Sequence, residues 1–504
     1  MYLEFIILAI VFIVFLYQLT KHNQVLRKSA FVLQLILNFH KFHDKVAQFL
    51  QETKGTFLLQ PACLGHMDML FTSDPANVHY IMCAKFSDYV KGSEWRKRFD
   101  IFGDHSIFNT DFDEWKQNRK AARAFLCHQQ CHQHVAKIIP DIIEQALIPV
   151  IEHVSEQDMA VDFQDLFKRY TFDFACLLTI GSNPNSLMIG PEHPFLKALD
   201  DAFEASFVRF VLPEKLWKLQ RWLGIGKERK LSEGWKIIDE FCAEHISIKR
   251  EKLGRTSEDE DEDEEGYLNL LSCFLTGRVI GSTHTPNDIR DDITNLLFGI
   301  ADTTSTALSW FFWLLSKNTF AETKIRQELR RNLPESCDVK EWRPRHVDEL
   351  DNLVYLHAAL CETLRLYPPV PYEWRTPLGP DTLPSGHPVN QKTGIFISAY
   401  AMGRTASIWG EDCHEFKPER WITDDGGIKH EPPHKFFVFS AGSRIYLGKE
   451  IAFTLMKAII ATIIHNYDVQ VIESHPVIPS LSVLFRMKHG LMARINKRRA
   501  TLSE

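Results

Sequence analysis

Three charged residues in the C-terminal half of the chain have the spacing of an ion-pair network. Glu362 and Arg365 stand three residues apart in the strongly periodic segment VYLHAALCETLRLYPP, so their side chains meet on one face of a helix. Arg420, in FKPERW, is the natural third member. An E-x-x-R pair alone indicates little, because amphipathic helices commonly carry solvated ion pairs. Its significance depends on the motifs around it.

A second candidate group is polar and lies within an apolar helical segment. Ala301-Asp302-Thr303-Thr304-Ser305 falls in the middle of this segment, where a buried polar group needs a partner or a function. An acid beside an alcohol is suited to proton delivery. The alternative is a set of ordinary polar residues facing a packed core.

Further motifs surround these two groups, and their order along the chain is informative. E-x-x-R-x-x-P-P is followed by P-E-R-W and then by FSAGSRIYLG at 439–448, while Trp115-x-x-x-Arg119 comes earlier. Together they resemble the C-helix, K-helix, meander and haem-binding loop of cytochrome P-450 enzymes. Phrases such as LSWFFWLLSKN, LPSGHPV and IWGEDCHEFKPERW are similar to the plant long-chain and mid-chain alkane hydroxylases and to noroxomaritidine synthase, which couples phenols. The resemblance covers nearly the whole chain.

This resemblance implies a haem-dependent monooxygenase. It implies haem b, dioxygen, electrons from NADPH through a cytochrome reductase partner, and an apolar substrate that is hydroxylated, a long-chain alkane or fatty acid, or phenols that are coupled. Asp302 and Thr303 are then the candidate catalytic residues of a proton relay, with Thr303 hydrogen-bonding the iron-bound oxygen. Glu362, Arg365 and Arg420 form the structural network of the fold.

The resemblance also implies which residues hold the haem and the substrate. Arginine is suited to the haem propionates because its planar donors match a carboxylate. The expected cofactor-binding residues are Trp115, Arg119, Phe439, Gly442, Arg444 and Gly448, and the expected metal ligand is residue 446. Substrate contacts are expected at 107–112, 370–374 and 481–484.

The residue at the metal position departs from the family pattern. Tyr446 stands where the family has its ligand cysteine, and the residues on both sides fix the register. A thiolate pushes electron density through iron and favours O–O cleavage, whereas a phenolate is a harder donor, although it can bind haem iron. Tyrosine also ionises only at a pKa of about 10, against about 8.5 for cysteine. Ile300 departs too, since it replaces a glycine that makes room for oxygen.

Two hypotheses therefore stay open, and enzymatic activity itself is uncertain. The first is a haem-dependent monooxygenase or oxidative coupling enzyme, which every motif except the ligand supports. The second is a catalytically impaired or haem-poor relative that binds an apolar ligand, which Tyr446 and Ile300 support.

The elements that must position these residues are mainly helical. Helical periodicity predicts helices at 137–151, 162–180, 235–253, 287–317 and 350–366, and short β-type runs such as GIFISAY follow between Pro- and Gly-rich loops. The acidic run at 258–265 is expected to be a solvated loop. We therefore expect a mainly α fold with small β-sheets, the cytochrome P-450 fold, as one domain at 21–504.

The N-terminal residues predict a membrane location. The apolar run FIILAIVFIVFLYQL, followed by Lys21, Arg27 and Lys28, indicates a transmembrane signal anchor at 1–20 with a cytosolic domain on the endoplasmic reticulum membrane. A proline-rich hinge after the anchor is absent, since residues 20–60 contain no proline.

The composition excludes some functions. A formal net charge of -7 argues against a general nucleic-acid binder, because binding phosphates requires a basic surface. The ten cysteines have no disulfide-framework spacing, so we expect free thiols. The segment CHQQCH at 127–132 could suggest a metal site, but no second ligand pair follows at zinc-like spacing.

Overall fold

The computed structural model describes residues 41–59, 67–188, 190–255, 269–277, 285–332, 344 and 347–498. The predicted anchor at 1–20 and the acidic run at 258–265 lie outside these residues. Within the described ranges, no helix combines the length and the apolar composition that a membrane span requires. The eight cysteines in these ranges are free thiols, as expected.

Helices make up most of the described chain. The α-helices are α1 (Phe42–Glu52), α2 (Pro75–His79), α3 (Gly92–Arg98), α4 (Phe112–Leu126), α5 (Gln129–Ile142), α6 (Ile148–Glu156), α7 (Phe163–Ile180), α8 (Pro194–Val211), α9 (Glu214–Leu223), α10 (Gly226–Arg255), α11 (Leu270–Thr276), α12 (Pro286–Leu297), α13 (Thr303–Lys317), α14 (Thr319–Asn332), α15 (Val354–Leu366), α16 (Ala399–Met402), α17 (Ala406–Trp409) and α18 (Lys449–Asn466). Three π-helical turns add to them, at Tyr80–Ala84, Ile143–Leu147 and Phe298–Asp302.

The strands are short and form three small sheets. They are β1 (Thr56–Leu59), β2 (Asp68–Thr72), β3 (Tyr89–Val90), β4 (Ala160–Asp162), β5 (Tyr372–Pro377), β6 (Asp381–Thr382), β7 (Pro388–Val389), β8 (Thr393–Ser398), β9 (Tyr467–Val471) and β10 (Met492–Lys497). The largest sheet has the order β1-β2-β8-β5-β3, the second β4-β10-β9 and the third β6-β7. Pairing of β2 with β8 is parallel, with Leu70 opposite Ile395.

The long helix at the centre of the fold consists of α12, the π turn and α13. It begins with a capping box, in which the Thr285 side chain and Asp288 satisfy each other's backbone N–H groups, and Pro286 stands at the first helical position. Its middle part packs against α7, where the Thr171 hydroxyl donates to the Ala301 carbonyl at 2.8 Å. The π turn at Phe298–Asp302 therefore lies inside the core, at the point where the candidate catalytic residues begin.

The mainly helical fold with small sheets is confirmed, and so are the positions of the predicted helices. The helix predicted at 162–180 is Phe163–Ile180, and the one predicted at 350–366 is Val354–Leu366 after a 3-10 turn. Sequence periodicity missed the π turns that interrupt the helices predicted at 137–151 and 287–317, because each is a single short turn and the segments on either side keep the period of an α-helix. A single domain at 21–504 stays a prediction.

Candidate functional site

The loop between Phe437 and Gly448 directs residue 446 toward the central helix. A 3-10 turn at Phe437–Phe439 precedes it, and the Tyr446 backbone N–H donates to the Phe439 carbonyl at 2.9 Å, which closes the loop on itself. Gly442 has φ +60°, and a Cβ there would lie 2.0 Å from the carbonyl oxygen of Met82. The loop can therefore approach Met82 only with glycine at this position.

The Tyr446 side chain reaches the backbone of the π turn. Its hydroxyl donates to the Gly299 carbonyl at 2.9 Å. Its ring lies against two glycines, since a Cβ on Gly299 would be 3.9 Å from the ring and one on Gly448 2.7 Å from the hydroxyl oxygen. Burial raises the pKa of this phenol well above its usual range. The group is therefore a neutral hydrogen-bond donor at physiological pH.

The hydroxyl of Thr303 is held by the same backbone carbonyl. Thr303 Oγ1 donates to the Gly299 oxygen at 2.7 Å, so that oxygen accepts from both Thr303 and Tyr446. The structure thus brings together two of the predicted site residues, although through the protein backbone rather than through a ligand.

Asp302 faces away from this contact, into a buried ionic cluster. Its carboxylate is fully buried and lies 2.5 Å from the Arg486 guanidinium, which also pairs with Asp200. Lys168 pairs with Asp200 as well, at 2.6 Å. Burial raises the pKa of Asp302, and Arg486 opposes that shift. Sequence reasoning found Asp302 but not Arg486, which lies far along the chain in an irregular segment.

Arg444, Trp115 and Arg119 meet on the other side of the loop. The Arg444 guanidinium lies 4.6 Å from the centre of the Trp115 ring and donates to the Asp111 carboxylate at 2.9 Å and to the Thr110 carbonyl at 2.8 Å. Arg119 donates to the Ile445 carbonyl of the loop itself. The three residues that were expected at the propionates are thus neighbours, and both arginines have protein partners.

Arg375 on β5 completes this basic cluster, and sequence analysis missed it. The side chain is 1% exposed and pairs with Glu373 through one nitrogen, while its Nε and Nη2 have no hydrogen-bond partner among the described residues. Burial, followed by repulsion from Arg375, lowers the pKa of Arg444 to about 9. Burial also lowers the pKa of Lys91 to about 7, although Glu373 opposes this. The cluster therefore has an excess of crowded cations, which is the environment that an anion stabilises.

The network of Glu362 and Arg365 lies beneath the loop. Arg365 donates to both carboxylate oxygens of Glu362, each at 2.7 Å, and Arg420 approaches the same carboxylate at 3.4 Å. Trp421 Nε1 adds a donor at 2.8 Å. Both members of the central pair are buried. This network joins α15 to the segment around Pro418–Trp421, which leads into the site loop.

An aromatic cluster packs against Phe298 of the π turn. Phe298 lies 5.0 Å from Phe102, 5.6 Å from Phe108 and 4.6 Å from Phe203 between ring centres. Phe108 belongs to the expected substrate loop at 107–112. Trp374, by contrast, packs within the largest sheet against Phe396 at 4.8 Å. Phe108 therefore lies in this cluster, whereas Trp374 lies in the sheet.

Comparison with known proteins decides the family. The sequence model of the cytochrome P450 family matches residues 27–492. Noroxomaritidine synthase 1 of Narcissus pseudonarcissus is 39% identical over 474 residues, which cover 93% of this chain and 90% of that protein. Alkane hydroxylase MAH1 of Arabidopsis thaliana is 38% identical over 459 residues, 91% of this chain and 90% of that protein. Cytochrome P450 94A2 of Vicia sativa is 33% identical over 93% of this chain.

The chain belongs to the cytochrome P450 family. Members of this family are monooxygenases that use a haem iron and receive electrons from a reductase. Two parts of the candidate site of this P450 bear on haem binding. They are the basic cluster and residue 446.

The basic cluster suits the carboxylates of a haem. Arg375 is buried with two donor groups that no described residue accepts, and it lies among other cations. Buried guanidinium groups of this kind are usually paired. Propionates would supply the missing acceptors, and Arg375, Arg444 and Trp115 are the residues that would hold them.

Residue 446 does not suit a haem in the arrangement that the structure describes. The Tyr446 oxygen and the Gly299 oxygen are 2.9 Å apart. A porphyrin between the loop and the helix would need about 3.5 Å of van der Waals contact on the side of the helix. It would need about 2 Å more for a bond between its metal and the Tyr446 oxygen. The two oxygens are too close together for both. A phenol also releases its proton to a metal less readily than a thiol does, because its ordinary pKa is higher. A haem could therefore enter only after the Tyr446–Gly299 hydrogen bond is broken.

Proposed function

We propose that this P450 is a catalytically impaired, haem-poor member of its family that retains the region for an apolar long-chain ligand. One observation carries the proposal: the phenol of Tyr446 replaces the thiolate and donates to the Gly299 carbonyl at 2.9 Å. The comparisons support the family and the class of substrate, and they do not bear on the impairment. The impairment is argued from this chain's own residues.

The support for an apolar ligand comes from the cluster above the π turn and from the relatives. Phe102, Phe108, Phe203 and Phe298 provide aromatic surface and no charge. Alkane hydroxylase MAH1 is named for alkanes, which are apolar, and the match covers 91% of this chain. An alkane or a fatty acid is therefore the ligand class that we propose.

A second candidate function is the haem-dependent monooxygenase reaction itself, hydroxylation of the same ligand or coupling of phenols. The observation that favours it is Arg375, whose two unpartnered donors and cationic neighbours suit the propionates of haem b. The monooxygenase reaction further requires electrons from NADPH, which a cytochrome reductase would deliver. We also propose that the protein is located at the endoplasmic reticulum, with residues 1–20 as its membrane anchor. In this case the Tyr446–Gly299 hydrogen bond opens when haem enters.

The test compares the full chain with Tyr446→Cys and Tyr446→Phe, each expressed with added haem precursor. Haem content is measured as the pyridine haemochrome, and the iron ligand from the spectrum of the reduced, carbon-monoxide-treated protein. We expect little haem in the native chain and in Tyr446→Phe, and haem with a thiolate-type Soret band in Tyr446→Cys, because a thiol ionises far more readily than this phenol.

Turnover is measured in the same samples with dodecanoic acid, NADPH and a plant cytochrome reductase. Product from Tyr446→Cys alone supports the proposal. One haem per native chain together with NADPH-dependent product would overturn it in favour of the second candidate.

A further inference from the structure

The contacts of Tyr446 form a bridge between the site loop and the central helix. The hydroxyl is hydrogen-bonded to Gly299 at 2.9 Å, and the backbone N–H of the same residue is bonded to Phe439 at 2.9 Å. Its ring is nearly parallel to that of Phe439, with 6.4 Å between the ring centres and 5° between the planes. One residue thus ties the loop to itself and to the π turn.

Three further groups beside residue 446 also have partners within the protein. Arg119 donates to the Ile445 carbonyl, and Arg444 donates to Thr110 and Asp111. Thr303 shares the Gly299 carbonyl with Tyr446. These bonds hold both flanks of residue 446. Protein groups on both sides of residue 446 therefore bond to one another, while Arg375 Nε and Nη2 have no hydrogen-bond partner among the described residues.

We propose that Tyr446 acts as a strut in place of the prosthetic group, so that the haem-free chain is a stable folded state that the Tyr446–Gly299 hydrogen bond keeps closed to porphyrins. The inference rests on the proposed function and deepens it. On this proposal the Tyr446 side chain has a role of its own, because it holds the loop in place. Its effect is more than the loss of a ligand for iron. A cysteine at position 446 is too short to reach the Gly299 carbonyl from the same backbone position.

The experiment uses haem-free protein, prepared from haem-limited cells, and compares Tyr446→Phe with Tyr170→Phe. Tyr170 is a suitable control because it is a buried tyrosine whose hydroxyl also donates to a backbone carbonyl, that of Ile139 at 3.4 Å, but on α7 and away from the loop. Tyr446→Phe should raise the unfolding equilibrium constant about fivefold, as expected for the loss of one hydrogen bond to a carbonyl that still accepts from Thr303.

Limited proteolysis localises the effect. Trypsin cleavage of the Arg444–Ile445 bond is followed by mass spectrometry, and it should be several-fold faster in Tyr446→Phe than in the native chain or in Tyr170→Phe. The native chain gives an independent measurement that needs no variant. Its Arg444–Ile445 bond should resist trypsin without haem, and added hemin should leave the rate unchanged.

The outcomes separate this inference from the proposed function. Equal loop cleavage and equal stability in Tyr446→Phe and Tyr170→Phe would overturn the strut, even if the native chain proved haem-poor. Rapid cleavage of the native haem-free chain that hemin suppresses would overturn it as well. Stoichiometric haem in native protein from supplemented cells would overturn the proposed function, while a loosened loop in haem-free Tyr446→Phe would still support the strut in the haem-free state.

Discussion

Replacing Glu362 with glutamine should destabilise the chain strongly, because the carboxylate is the acceptor for an entire buried network. Glu362 is 0% exposed and accepts two bonds from Arg365 at 2.7 Å, one from Trp421 at 2.8 Å and one from the Lys417 backbone at 3.0 Å. Arg420 adds a weaker contact at 3.4 Å. Glutamine keeps one acceptor oxygen and places an NH2 donor against N–H donors.

The magnitude follows from the charge that is left behind. Arg365 would remain buried without a carboxylate, and breaking such a pair by removing one partner costs about 3–5 kcal/mol. The Cys413 and Glu415 carbonyls accept from the same guanidinium at 2.6 and 2.9 Å and would still solvate part of its charge. We therefore expect the lower end, a loss of about 3 kcal/mol in the free energy of unfolding.

Urea-induced unfolding, followed by tryptophan fluorescence and far-ultraviolet circular dichroism, measures this loss. The matched control is Glu114→Gln, which removes an exposed carboxylate whose partner is His105 at 3.0 Å, and which should cost less than about 0.5 kcal/mol. The opposing result is that Glu362→Gln lowers the free energy of unfolding by less than about 1 kcal/mol, with the same dependence of that free energy on urea concentration. This result would refute the idea that the network carries a buried charge.

Two further predictions concern pH and the shape of the loop. His43 is buried, and this burial, followed by Arg404, lowers its pKa to about 3. Between pH 3 and about 6.5 the unfolded chain binds this proton and the folded chain does not, so stability falls as pH falls through that window, by about 2 kcal/mol from pH 7 to 5. His43→Phe should remove this part of the pH dependence, measured by urea unfolding at both pH values, and an unchanged dependence would show that other groups cause it. Gly442→Ala should cost more than about 2 kcal/mol, since φ is +60° and the new Cβ meets the Met82 carbonyl at 2.0 Å. Gly386→Ala is its control, with φ +80° and open space around the Cβ, and it should cost only about 1 kcal/mol; equal losses in thermal unfolding would contradict the predicted clash.

Much of the fold and part of the site could be predicted from local patterns. The segments of α7, α13 and α15 carry helical periodicity, and the E-x-x-R spacing placed Glu362 and Arg365 on one face, where the structure has them 2.7 Å apart. Sequence analysis did not identify Arg375, because a single arginine within a short strand has no pattern that distinguishes it from a solvent-facing residue. Its burial beside Glu373, with two donors unpartnered among the described residues, depends on how β5 packs.

The sequence by itself determined the family, the mainly helical architecture and the presence of tyrosine at position 446. Only the tertiary structure decided what that tyrosine does, because the Gly299 carbonyl that it binds is a backbone group with no signature in the residue types. The π turn at Phe298–Asp302 and the loop closed through Phe439 bring the two together. A hydrogen bond depends on distance and direction between groups 147 residues apart, and such distances are set by the packing of the whole chain.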